Sequence, residues 1–134
     1  MEAITFGTLS HTFSNLALPL RRSIARRFGF DEVVLSSWFR SLTHVRNVAA
    51  HHGRLWNASL TADKPVVAKK LRGEFGPVQS SFFARAVVAA ALLGAVDSAA
   101  GWKAGLKRLL DECPQVDGQR MGFPEGWRAR DFWS

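Results

Sequence analysis

The sequence predicts an all-α protein, a compact bundle of about five helices. Three observations predict it. Apolar residues recur at spacings of three and four through most of the chain. No stretch alternates apolar and polar residues over several positions, as a half-buried strand does. Pro, Gly and small polar residues fall where helices of ordinary length start and stop. At 134 residues and 47% hydrophobic content, the chain is one domain's worth, residues 1–134, and needs no disulfide or metal to fold.

The first helix is expected after Gly7, with Thr8 as N-cap and Leu9, Phe13 and Leu16 turned inward. Pro19 opens a second helix, which carries Arg21, Arg22, Arg26 and Arg27 and ends at Gly29. These four arginines are either a solvated face or a patch that follows phosphates. Asp31 caps a third, longer helix from about Glu32 to about His52, stopped by Gly53. Its expected buried stripe is Leu35, Trp38, Phe39, Leu42, Val45 and Ala49.

Residues 54–76 read as mostly irregular, broken by Pro65, Gly73 and Gly76 and made basic by Lys64, Lys69, Lys70 and Arg72. Pro77 opens a fourth helix to Val96, rich in Ala and Gly. Small residues admit close helix approach, so this is the expected central or interface helix. Arg85 and Asp97 bracket its most apolar run, which is too short to cross a bilayer. A fifth helix spans about Trp102 to Glu112 and is ended by Pro114. Trp127 and Trp133 in the tail are expected to dock back on the bundle, core packing outweighing base stacking for both.

Eighteen Lys and Arg against eleven Asp and Glu leave a formal charge of +7, which favours an anionic partner: RNA, DNA or an acidic lipid face. The lone Cys113 excludes an intramolecular disulfide and a zinc-finger cluster, and fits a reducing cytoplasm. It reads as a packing residue near a helix end. Ser10, His11 and Asn15 interrupt any apolar run of a signal peptide, so the expectation is a cytoplasmic chain with no membrane partner.

The third helix holds the densest group of reactive side chains: Arg40, His44, Arg46, Asn47, His51 and His52. At about 100° per residue, Arg40, His44, Asn47 and His51 share one face, opposite the apolar stripe. Metal binding is disfavoured. His44 and His51 stand two turns apart, His51 and His52 point apart, and no Asp, Glu or Cys lies between Glu32 and Asp63. General acid–base work on a phosphodiester suits the set better. An imidazole shuttles protons near neutral pH, and a guanidinium binds phosphate oxygens and steadies transition-state charge. RNA brings its own nucleophile, the 2′-hydroxyl, so no metal or other cofactor is called for.

Arg46-Asn47-Val48-Ala49-Ala50-His51 resembles the Arg-x4-6-His signature of the HEPN superfamily, in which a polar residue commonly follows the Arg. The longer run to Asn57, through His52, Gly53, Arg54, Leu55 and Trp56, resembles the form found in abortive-infection (Abi) proteins of the AbiD and AbiF type. Residues 2–10 and the ending Met121-Gly122-Phe123-Pro124 with Trp127 are similar to other segments of that family, in the same order. The family pattern begins further upstream, so the chain reads as lacking an N-terminal portion.

The resemblance implies a HEPN-like helical domain that dimerises, with Arg and His of both subunits lining one cleft that cleaves RNA without metal. Such proteins act in phage defence or toxin–antitoxin systems. By this carry-over Arg46 binds the scissile phosphate, His51 is the acid–base catalyst or a phosphate ligand, and Asn47 positions them. Arg40, His44, His52, Arg54, Lys69 and Lys70 are the expected RNA-binding residues. An ideal helix sets Arg46 roughly 140° around from His51, so a homodimer that pairs Arg of one copy with His of the other is the preferred arrangement. The expected partners are RNA, a second copy, and an RNA or protein antitoxin. Two other classes stay open: a non-catalytic RNA-binding or regulatory module, and a protein–protein adaptor with an apolar patch along the fourth helix. A structural role for the motif also stays open, with Arg46 near the buried stripe pairing with a carboxylate.

Overall fold

The computed structural model describes residues 6–50, 60, 63–76, 79–96, 98–114 and 118–133. Five α-helices stand among them, with no strand. They are α1 (Phe6–Asn15), α2 (Leu18–Phe28), α3 (Glu32–Ala50), α4 (Phe82–Val96) and α5 (Ala100–Glu112). No described helix is long and apolar enough to cross a membrane.

Local chemistry sets most of the boundaries. Pro19 sits in the first turn of α2, where its missing N–H costs nothing. Gly29 ends that helix at φ 83°, a left-handed conformation that glycine adopts without strain. The Gly29 and Phe30 amides then turn back onto the carbonyls of Arg26 and Ala25, at 3.0 and 3.1 Å. The Asp31 carboxylate accepts the Val34 amide at 2.8 Å and starts α3, as its position foretold. Two expected starts shift. Thr8 lies inside α1, which begins at Phe6. Pro77 falls outside the described residues, and α4 begins at Phe82, where the Ser81 hydroxyl accepts the Ala84 amide at 3.2 Å. Cys113 is the half-buried residue that follows α5.

The Ala-rich α4 is the central helix, with Phe83 through Val88, Ala90 and Leu92 all buried. α1 lies antiparallel along α3: Phe13 meets Phe39 edge-on at 5.3 Å, and Gly7 approaches Thr43. The expected stripe on α3 is buried only in its first half. Leu35, Trp38 and Phe39 are buried, Leu42 and Val45 are half-buried, and Ala49 is exposed. Helical spacing marks a face along the whole helix, whereas burial requires a neighbour, and among the described residues α1 stops covering α3 near Thr43.

The tail does dock. Met121, Phe123, Trp127 and Trp133 are buried against Phe83. Gly122 takes φ 86° so close to Ser81 that a Cβ there would collide with the serine side chain. Lys103 and Lys107 of α5 donate to the carbonyls of Phe132 and Trp133. Both tail tryptophans are therefore core, as the composition suggested.

Arg85 departs from expectation. It is not a charged edge to the apolar run but one of the most buried side chains, at 1% exposure. Its guanidinium donates to the carbonyls of Leu60 (2.8 Å), Gln79 (3.0 Å), Ser81 (3.4 Å) and Asp63 (3.5 Å). Burial lowers its pKa, and the Asp63 charge works the other way. Arginine starts so far above neutrality that the group stays charged. Four carbonyls from two stretches of chain converge on one cation, so replacing it strands several buried acceptors at once. Arg85→Met is expected to cost about 3–5 kcal/mol, read as a lowered midpoint in urea unfolding.

Candidate nucleic-acid interface on α3

The two halves of α3 have different surroundings. Three side chains of the first half tie down the stretch that precedes the 3₁₀ turn Lys69–Leu71. The Trp38 indole donates to the Val66 carbonyl at 2.8 Å. The Ser37 hydroxyl accepts the Val66 amide at 2.9 Å and donates to Lys64 O at 3.4 Å. The Ser41 hydroxyl donates to the Asp63 carbonyl. Ser37 and Ser41 are one turn apart and buried, so they act as a pair of hydroxyl rungs. The sequence reading passed over them. Their signal was the i, i+4 spacing of two serines on an otherwise apolar helix face.

Asp63 turns the corner at φ 51°, a left-handed position that Asp tolerates better than most residues. Its carboxylate lies 4.0 Å from Arg40 Nε, and Arg40 also donates to the Ser36 hydroxyl at 3.0 Å. Both partners of the ion pair are about half exposed, so water screens it. Arg40 is thus held at the edge of the 63–66 stretch beside a negative charge, a poorer phosphate ligand than spacing alone implied.

The second half of α3 presents Arg46 and Asn47 exposed and His44 half-buried. Arg46 was one candidate for burial beside the stripe with a carboxylate partner. It is exposed instead, and among the described residues it makes no ion pair. Arg40, His44 and Asn47 do share a face, with the outer two exposed. His51, His52 and Arg54 lie outside the described residues. Lys69 and Lys70 are exposed, yet at the other end of α3. Lys70 Nζ donates to Gly29 O at 2.6 Å and sits 4.1 Å from the centre of the Phe30 ring. At 1.5 Å per residue, about 21 Å of helix axis separates Arg46 from Glu32, the residue beside that end. The described members of the expected RNA-binding set therefore divide into two places, Arg40 and His44 on α3 and Lys69 and Lys70 beside the end of α2.

A second surface feature is apolar. α1, α2, α3 and α4 enclose an open groove of about 530 Å³, lined by Phe13, Leu16, Ile24 and Phe28 and by the partly exposed Leu9, Leu93 and Val96.

Residues 1–57 match the family model described as Abi-like protein. The matched span takes in α1, α2 and α3 and runs through the Arg46–His51 motif, less than half of the chain. The match supports an Abi family protein. No curated protein matches the chain, and no solved structure does.

Because Arg46 and Asn47 are exposed, replacing them leaves the packing intact. Arg46→Ala and Asn47→Ala are each expected to change stability by about 0.5 kcal/mol or less. A thermal melt checks this, and a large loss would assign the motif to the scaffold.

Proposed function

We propose that the chain is an RNA-acting domain of bacterial phage defence, a metal-independent endoribonuclease of the HEPN type that works in the cytoplasm. The observation that carries the reading is Arg46 with Asn47: a guanidinium and an amide, adjacent, exposed, and among the described residues without an ion-pair partner, on a span that matches Abi-like proteins. A cation kept on the surface without an internal partner is available to an external anion.

In this reading Arg46 engages the scissile phosphate, and its charge offsets the negative charge that grows as the 2′-hydroxyl attacks. His51 takes the proton from the 2′-hydroxyl or gives one to the departing 5′-oxygen. Asn47 orients phosphate or imidazole. The bond to the 5′-oxygen breaks as the 2′-oxygen bonds to phosphorus, leaving a 2′,3′-cyclic phosphate. A second copy supplies the complementary Arg or His across a two-fold axis. His44, His52 and Arg54 contribute further contacts to RNA, and an RNA or protein antitoxin is the natural restraint on such an activity.

The apolar groove favours a second reading, a protein–protein adaptor in defence. Leu9, Leu93 and Val96 are apolar surface along α1 and α4, where a protein partner gains by excluding water.

Incubation of the protein with mixed RNA in excess EDTA separates the readings. The nuclease gives fragments with 2′,3′-cyclic phosphate ends. Cleavage is lost in His51→Ala and falls about 100-fold or more in Arg46→Ala, as expected when one oxyanion-stabilising group is removed. RNA binding without cleavage favours a regulatory module. No RNA affinity at physiological salt favours the adaptor.

A further inference from the structure

We infer that the last turn of α2 and the 69–72 segment form one phosphate-binding surface for an RNA strand, distinct from the Arg46 end of α3. This rests on the RNA reading above and adds where the strand lies beyond the scissile bond.

Lys70 is the joint. Its ammonium donates to Gly29 O across 41 positions of sequence, so the 3₁₀ turn Lys69–Leu71 is held against the end of α2. That contact engages Lys70 itself at the residue that ends α2. Arg22 is also engaged, with its Nε 3.4 Å from Glu32. The last turn of α2 carries Arg26 and Arg27, and the adjoining segment carries Lys69 and Arg72. All four are exposed, and among the described residues none of them pairs with a carboxylate. Arg26 makes only a long bond of 3.4 Å to the Arg22 carbonyl.

The Lys70–Gly29 contact brings these two basic segments together. Among the described residues, the one carboxylate that lines the same hollow as Lys69 and Lys70, that of Asp31, is outnumbered by four cations, so an anion is attracted there. The helix dipole of α2 favours Arg26 and Arg27, which stand in its last turn. It does nothing comparable for Lys69 and Arg72, which lie outside any long helix. A polyphosphate backbone satisfies all four at once and needs no base-specific contact. An acidic membrane is the weaker fit. Val33 and Val66 are exposed beside the surface and Phe30 is half-buried under Lys70, whereas the exposed Leu18 and Leu20 lie in the first turn of α2, away from its basic last turn, so apolar and basic groups do not make one interfacial anchor.

A fluorescent single-stranded RNA titrated across a range of salt tests the surface. The chains compared are wild type, the triple variant Arg26→Ala/Arg27→Ala/Lys69→Ala, the charge-retaining Arg26→Lys/Arg27→Lys, and Arg46→Ala. Lys69→Glu alone repeats the test without touching α2, and circular dichroism melts confirm folding. The triple variant is expected to bind about 10-fold more weakly. Its slope of log affinity against log salt should shrink by about 2, at roughly 0.7 per phosphate contact on a single strand. The charge-retaining variant should bind as wild type does. Unchanged affinity and slope in the triple variant, with loss in Arg46→Ala, overturns the surface and leaves the α3 reading standing. Loss in the triple variant, with Arg46→Ala neutral in both binding and cleavage, supports the surface and removes the α3 reading. Wild-type protein that ignores RNA but sediments with phosphatidylserine vesicles overturns both.

Discussion

One cation inside the bundle determines where the connecting chain runs. The Arg85 guanidinium draws the carbonyls of Leu60, Asp63, Gln79 and Ser81 to the head of α4, and its bonds to Leu60 and Ser81 are buried. A buried charge of this kind is costly alone, and carbonyl dipoles are its compensation here. The carbonyls are equally dependent on it. The stretch after α3 and the turn before α4 therefore share one anchor, and neither can move without leaving polar groups unpaired.

That anchor explains the division of α3. With residues 60 and 63 held by Arg85, the chain that follows lies along the first half of the helix. Ser37, Trp38 and Ser41 bind its backbone there. Positions that face this stretch are buried whatever their polarity, which is why Ser37 and Ser41 sit in the core beside Trp38. Toward the C-terminal half, the described chain offers less cover. Polar side chains at Arg46 and Asn47 meet solvent there. The functional reading follows from this contrast: one half of a helix is spent on the scaffold, and the other half displays its side chains.

The net charge of +7 divides in the same way. Lys103 and Lys107 hold the tail, Arg128 and Arg130 pair with Asp111 and Glu74, and Arg85 holds the loop. Those cations are structural, and no partner is needed to account for them. Arg26, Arg27, Arg46, Lys69 and Arg72 are exposed and, among the described residues, form no ion pair. Composition counts both groups together. Only the folded arrangement separates the charges already used from those still available to an anion.

From the sequence alone came the helical class, the Gly29 stop, the Asp31 cap, the end of α5 and the docking of Trp127 and Trp133. Each rests on a local rule, such as a backbone preference, a capping bond or the apolar mass of an indole, and needs no knowledge of distant residues. The Arg46-Asn47 motif was legible for the same reason, as a short run on one helix. Tertiary structure decided the rest. It put Arg85 in the core and Asp63 beside Arg40, left Ala49 uncovered, and carried Lys70 to Gly29. Each of those outcomes depends on which segment arrives at a given face, and residues 22 to 41 positions apart meet only once the helices have packed.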